Sequence, residues 1–368
     1  MNIKNYKNIK ELEIIFNNNI NIFVGDNAQG KTNILESIYL LAIPKSRRTI
    51  YDYELIKEEE DFLKIKGFIE NKENSKNYEV IISKLNKILK INNFEEKKVS
   101  QYISNINMIL FTPDDLEIIK RSPQYRRNLL NTELCQLDSK YTIVLNEYNK
   151  LLRIRNEYLK NYNGNKFDDY LEIVTKKMIE RMLIIYNKRE IFIKDINEKL
   201  EEIYYKLTGT HGLEIKYEKS ICEEKEILDF YKKNLKKEVF QKMTLYGPHR
   251  DDFCFYLDEN NMKNYGSQGQ QRLIILALKI AEVEVFKKYK GEYPIVLLDD
   301  AFSEIDIKKR NRLLKFIKSN VQYIITTTDL KNINENILEK ADIFHVKNGT
   351  ITKKEGTKNG RRKSTRKI

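Results

Sequence analysis

The chain has 368 residues, 41% of them hydrophobic, and a formal net charge of +13, enough apolar material for one large core or two modest ones. No run reaches the roughly 18 uncharged apolar residues that a membrane span needs, and the opening MNIKNYKNIKELEI lacks the apolar centre of a signal peptide, so we expect a cytoplasmic protein with no membrane partner. Cys135, Cys222 and Cys254 are far apart and never form a CxxC pair, which points away from a disulfide framework and from a zinc site.

In chain order, IKNYKNIKELEIIF alternates apolar and polar residues before NNN, as two short strands and a turn do. Asn21 to Val24 is an apolar strand running into the glycine loop GDNAQGKT, after which Ile34, Leu35, Ile38, Leu41 and Ala42 recur at helical spacing. FLKIKGFIE (Phe62 to Glu70), YEVIISKL (Tyr78 to Leu85) and KILKIN (Lys87 to Asn92) read as short antiparallel strands, the last two joined tightly at Asn86. From about Glu133, Leu134, Leu137, Tyr141, Val144, Tyr148 and Leu151 step by three and four residues, predicting one long amphipathic helix that stops near NYNGNK. A second helix from Leu171 toward Leu207 completes an antiparallel pair, whose stripe serves either packing between its legs or a partner-binding arm. PIVLLDD (Pro294 to Asp300) and QYIITTTD (Gln322 to Asp329) have the continuous apolar character of buried parallel strands. The last sixteen residues, Lys353 to Ile368, hold eight Lys/Arg against one Glu, so +7 of the +13 sits in a basic tail expected to be disordered.

Gly25, Gly30, Lys31 and Thr32 satisfy GxxxxGK[ST] between a strand and a helix, the context in which backbone N–H groups turn inward on phosphate oxygens. The run Gly25, Asp26, Asn27, Ala28, Gln29, Gly30, Lys31, Thr32, Asn33 is therefore the candidate nucleotide-binding segment, with Lys31 on the β and γ phosphates. Thr32 and Asp299, the latter 268 residues after Lys31 at the end of an apolar strand, are the candidate Mg²⁺ ligands. Asp300 beside it is the candidate for polarising the attacking water. YGSQGQQRLIILALKIAEVEVF (Tyr265 to Phe286) places a Gly-Ser-Gln-Gly loop at the start of a helix. That loop is either a helix cap or a second nucleotide contact given to a neighbouring molecule.

The order of phosphate loop, signature loop, acidic strand and switch strand is similar to that of the ABC-type ATPase heads. More narrowly, GDNAQGKTNILESIYLLA, FTPDDLEIIKRSPQYRRNLLN, LYGPHRDDF, YGSQGQQR, LLDDAFSEID and TTTD resemble the RecF family of bacterial recombination mediators, over most of the chain. The resemblance implies an α/β fold: a P-loop mixed sheet with an antiparallel β subdomain, plus a helical arm. The expected division is 1–122 and 211–352 for the two parts of the head, 123–210 for the arm and 353–368 for the tail. It implies a slow ATPase in which two ATP-bound heads meet face to face, with Ser267, Gly269 and Gln270 touching the γ-phosphate held by the partner, so that Asp300, Lys31 and Ser267 form the catalytic set. It further implies binding to double-stranded DNA near single-strand gaps, together with RecR and RecO, to help place RecA. Lys45, Arg47, Arg48, Arg126 and Arg127, in the clusters KSRR and KRSPQYRR, are the candidate DNA contacts. Pro44, Arg47 and Lys7 depart from the family pattern, which more often has glycine, histidine and arginine there. Among rivals, a transporter ATPase more often has a glutamate where Asp300 stands and a histidine among Thr326 to Thr328. A chromosome-tethering protein needs far longer arms, and a small-molecule kinase has no use for YGSQGQQR.

Overall fold

The computed structural model describes residues 1–70, 74–162, 164, 166–221, 226–301 and 307–353. Cys222, the FSEI and Asp306 part of LLDDAFSEID, and the tail beyond Lys353 lie outside the described residues.

Chain order gives β1 (Asn2–Tyr6), β2 (Ile9–Glu13), β3 (Ile20–Val24), α1 (Lys31–Ala42), β4 (Phe62–Glu70), β5 (Ser75–Ser83), β6 (Lys87–Ile91), β7 (Phe94–Glu95), α2 (Val99–Ile103) and β8 (Met108–Phe111). The helical segment follows, as α3 (Pro123–Leu137), α4 (Ser139–Lys160) and α5 (Asp169–Thr208). The remainder is β9 (Leu213–Glu218), α6 (Ile227–Gln241), β10 (Asp252–Leu257), β11 (Asn260–Asn261), α7 (Met262–Tyr265), α8 (Gln268–Lys290), β12 (Ile295–Asp299), α9 (Ile307–Leu314), β13 (Tyr323–Thr327), α10 (Glu335–Leu338), β14 (Ala341–Lys347) and β15 (Thr350–Lys353).

The central sheet has the order β15-β14-β3-β13-β12-β8, with every neighbouring pair parallel except β14 with β15. Because successive side chains of a strand point to opposite faces, the apolar runs here serve two cores. Phe23, Leu297 and Ile324 face one side, where α1 fills the space between this sheet and the antiparallel sheet β2-β1-β4-β5-β6-β7. Ile22, Val296 and Ile325 face the other, against α8. That second core runs on without a break through Met178, Ile185, Ile196 and Leu207 of α5 and reaches Ile215 and Phe255 of the small sheet β11-β10-β9. The helical segment thus shares a core with the sheet that carries the phosphate loop.

The expected single helix from Glu133 is two helices. Asp138, extended at φ −140°, ends α3 and caps α4, its carboxylate accepting the Lys140 N–H at 2.8 Å. An aspartate satisfies the orphan N–H groups of a helix start, and here that local bond interrupts a continuous apolar stripe. The second leg is one 40-residue helix, capped by Asp168 and closed by Gly209 at φ 81°.

Candidate active site

All the parallel strands end at the same edge, so the loops after β3, β12 and β13 meet there, where open α/β sheets collect ligands. The phosphate loop leaves β3 at Gly25, whose N–H donates to the Thr327 carbonyl of β13 at 3.3 Å. A Cβ at Gly25 would collide with the Val346 carbonyl of β14. Gly30, at φ 103°, starts α1 from a left-handed conformation that glycine alone adopts freely, and its carbonyl accepts the Ile34 N–H at 3.0 Å. Gln29 ties the loop to the β14–β15 turn: its carbonyl accepts the Gly349 N–H at 2.9 Å and its Oε1 the Asn348 N–H at 2.8 Å. Asn33 donates to Asn8 Oδ1 at 2.8 Å, while Asp26, Asn27 and Ala28 stay exposed at the loop tip.

Lys31 is buried and folds back over the loop, its ammonium donating to the carbonyls of Gly25 (2.6 Å) and Asp26 (2.7 Å). Burial pulls this ammonium below its ordinary pKa, against the raising influence of Asp300, Asp299 and Asp26. The Thr32 hydroxyl lies 3.0 and 2.9 Å from the two oxygens of Asp299. Thr326 donates to Asp299 Oδ1 at 2.6 Å from the neighbouring strand, where the register pairs the two residues directly. Burial raises the Asp299 carboxyl, while the hydroxyls of Thr326 and Thr32 and the charge of Arg48 pull it down. A hydroxyl and a carboxylate at this spacing are the hard oxygen donors that Mg²⁺ takes, so the residues present fit that ion. Asp300 adopts φ 48°, a conformation costly for aspartate, held by its N–H donating to Thr326 Oγ1 (3.0 Å) and to the Thr326 carbonyl (3.2 Å).

Ser267, Gly269 and Gln270 are exposed at the start of α8 and make no hydrogen bond to the phosphate loop of their own chain. Ser267 is a helix cap: its hydroxyl accepts the Gln270 N–H at 3.2 Å and Gln270 Oε1 accepts the Ser267 N–H at 2.9 Å. Among the described residues, and apart from its chain neighbours and its own helix backbone, nothing lies within 4 Å of a Cβ built at Gly269. Glycine lowers helix stability by about 1 kcal/mol relative to alanine, and nothing inside this chain demands it.

The basic candidates separate. Arg126 is corrected outright: it is buried, its Nε and Nη2 bind both oxygens of Asp252 at 2.6 and 2.8 Å, and its Nη1 donates to the carbonyls of Ile118, Ile119 and Arg121. Four of the five N–H donors of that guanidinium are engaged and the side chain is buried, so it is not placed to meet a phosphate. Arg48 belongs to the nucleotide edge, with Nε 3.0 Å from Glu36 and Nη2 3.7 Å from Asp299. Arg47 pairs with the buried Asp115, and Arg127 donates to the Asp251 carbonyl at 2.7 Å. Lys45 is exposed. Two site neighbours escaped sequence reasoning, Glu36 and the pairing of Thr326 with Asp299. TTTD signalled the second, but only the strand register selects the first threonine.

The RecF/RecN/SMC N-terminal domain matches residues 1–352. The chain is 38% identical over 364 residues to the DNA replication and repair protein RecF of Ligilactobacillus salivarius (strain UCC118), covering 96% of each. It is 40% identical over 359 residues to that of Bacillus cytotoxicus, covering 95% of this chain and 96% of the relative. Among solved structures, the recombination mediator protein RecF-ATP of the RecFOR pathway aligns with a TM-score of 0.86 at 30% identity over 96% of both chains. An Smc head bound to the C-terminal winged-helix domain of ScpA aligns at 0.54 and 16% identity over 96% of this chain and 95% of that one, a likeness of fold alone.

Proposed function

The chain belongs to the RecF family, and from that membership we propose that it is an ATP-gated DNA-binding ATPase of replication and recombinational repair. Its substrate is double-stranded DNA beside single-strand gaps, where it works with RecO and RecR and thereby aids RecA loading. Residues 123–210 form the arm of each head, and two heads close on one another when both hold ATP.

Within one head, the N–H groups of Gly25 to Lys31 and the Lys31 ammonium hold the β and γ phosphates. Thr32 and Asp299 hold Mg²⁺, which supplies charge neutralisation on those phosphates. Asp300 orients and deprotonates the attacking water. Ser267, Gly269 and Gln270 complete the site of the partner head. One observation carries the gating: this loop is exposed and capped, with an unfilled glycine, and reaches nothing in its own nucleotide site. Hydrolysis removes the shared γ-phosphate and releases the dimer.

The test is the solution mass of Asp300→Asn with Mg-ATP, with and without a gapped duplex. The expected result is a dimer that requires ATP and is favoured by the DNA. A monomer under every condition, with ATP bound, would overturn the composite site.

A further inference from the structure

With Arg126 internal, an exposed group of positive charges is found elsewhere, on α6. On α6, the exposed charged side chains after Asp229 are Lys232, Lys233, Lys236, Lys237 and, at the helix end, Lys242. The one later acid of this helix, Glu238, is fully buried against Arg155. Lys232 pairs with Glu172 at 3.1 Å. The other four lysines have no carboxylate partner among the described residues. Amid them Phe240 is 82% exposed.

The surface continues across the LYGPHRDDF loop. There every neighbour of Arg250 is turned inward: the Pro248 carbonyl accepts from the buried Arg189 at 2.8 Å, His249 Nδ1 meets the Tyr148 hydroxyl at 2.7 Å, and Asp251 accepts from Tyr217 and from the Ser220 N–H. Burial drives the His249 ring down to a pKa of about 4, so it stays neutral and acts as a brace. Arg250 alone points out, 2.8 Å from Met243 Sδ, on a backbone fixed from three sides. Beyond it stand Arg127, anchored on the Asp251 carbonyl, and Tyr125, 46% exposed beneath Arg121 at 4.4 Å.

Cations on a fixed backbone bind phosphates of either duplex or single-stranded DNA. Exposed rings between them gain only where a base is unpaired and can stack, because duplex bases keep their faces covered. We propose that this face, from α6 across Arg250 to the start of α3, binds the single-stranded segment of the DNA substrate, with Phe240 and Tyr125 as stacking platforms. The proposal rests on the DNA-binding function above and adds a strand preference and a surface to it.

The test uses the full chain with Mg-ATP and fluorescence anisotropy on labelled oligo(dT), a blunt duplex and a gapped duplex. Phe240→Ala is expected to weaken oligo(dT) binding about tenfold and to weaken the gapped duplex, while blunt-duplex affinity and melting temperature hold. Replacing Lys233, Lys236 and Lys237 by Gln should lower the slope of log affinity against log salt on oligo(dT) by about 2. Wild-type protein that binds the duplex but not oligo(dT), or Phe240→Ala that leaves oligo(dT) unchanged, overturns the proposal and leaves the DNA function standing. Lysine variants that lose duplex and single strand equally, with no effect of the ring, would assign the face to duplex. Loss of an acidic protein partner with all DNA binding intact would assign it to protein. Failure of wild type on all three probes overturns the functional reading itself.

Discussion

Beneath the nucleotide edge, Asp115, Glu133 and Glu282 are buried and, among the described residues, meet two cations, the buried Lys279 and the exposed Arg47, and the Glu133→Gln variant tests what that imbalance costs. Lys279 Nζ is 2.8 Å from Glu282 and 3.8 Å from Glu133, and Arg47 is spent on Asp115. With every group ionised the cluster would bury a net negative charge, an expensive state. Burial pushes Asp115 up, but Arg47, Lys279 and the Thr112 N–H hold its carboxyl below the ordinary range. Burial and the neighbouring Glu282 push Glu133 from 4.5 up to about 8, so the glutamate pair keeps a proton at neutral pH. The folded state then binds more protons than the unfolded chain between pH 4.5 and 8. Stability present below 4.5 is lost as pH rises through that window, on the order of 4 kcal/mol by its upper end. Glutamine copies the protonated form and does not titrate. Urea midpoints at constant salt should therefore show Glu133→Gln gaining on wild type steadily from about pH 5 to about pH 8. The slope is the readout, because any cost of repacking the amide beside Gln136 is independent of pH. A gap that stays constant, or shrinks as pH rises, would refute the reasoning.

Arg155→Ala should cost about 3 to 5 kcal/mol, because Glu238, bound at 2.6 Å and fully buried, is left uncompensated. Denaturation midpoints check this, and Arg155→Met combined with Glu238→Gln should recover most of the loss. Ser267→Ala removes a cap and should cost about 1 kcal/mol, and it should also slow ATP hydrolysis, because the hydroxyl that would meet the partner's γ-phosphate is gone. Ser267→Arg should bind ATP as a monomer without hydrolysing it, and normal turnover by that variant would show that the loop does not act across an interface.

The local signals were legible in the sequence because each element is written in nearest-neighbour chemistry. Gly25 to Thr32 needs glycines and a lysine in fixed order, the strands after it alternate or run apolar, and Leu171 to Leu207 keeps helical spacing to its last turn. The ends of β4 followed from those patterns alone, while the fold class rested on the family resemblance that the motifs carry. The helix break at Asp138 escaped the sequence because a capping bond is made by one side chain inside an unbroken stripe, where periodicity carries no mark of it.

Only the tertiary structure decided which charges do what. KRSPQYRR shows four cations in a row of eight residues, yet Arg126 faces Asp252, 126 residues away, and Arg127 the carbonyl beside it. Thr32 and Asp299 are 267 residues apart and meet because β13 lies between β3 and β12 in one parallel sheet. A sequence records the kind of side chain at each position, while the energy of a charge depends on its distance to the opposite charge and on the water removed around it. Both are set by the packing of distant segments, so an arginine that anchors a core and one that waits for a phosphate are spelled alike.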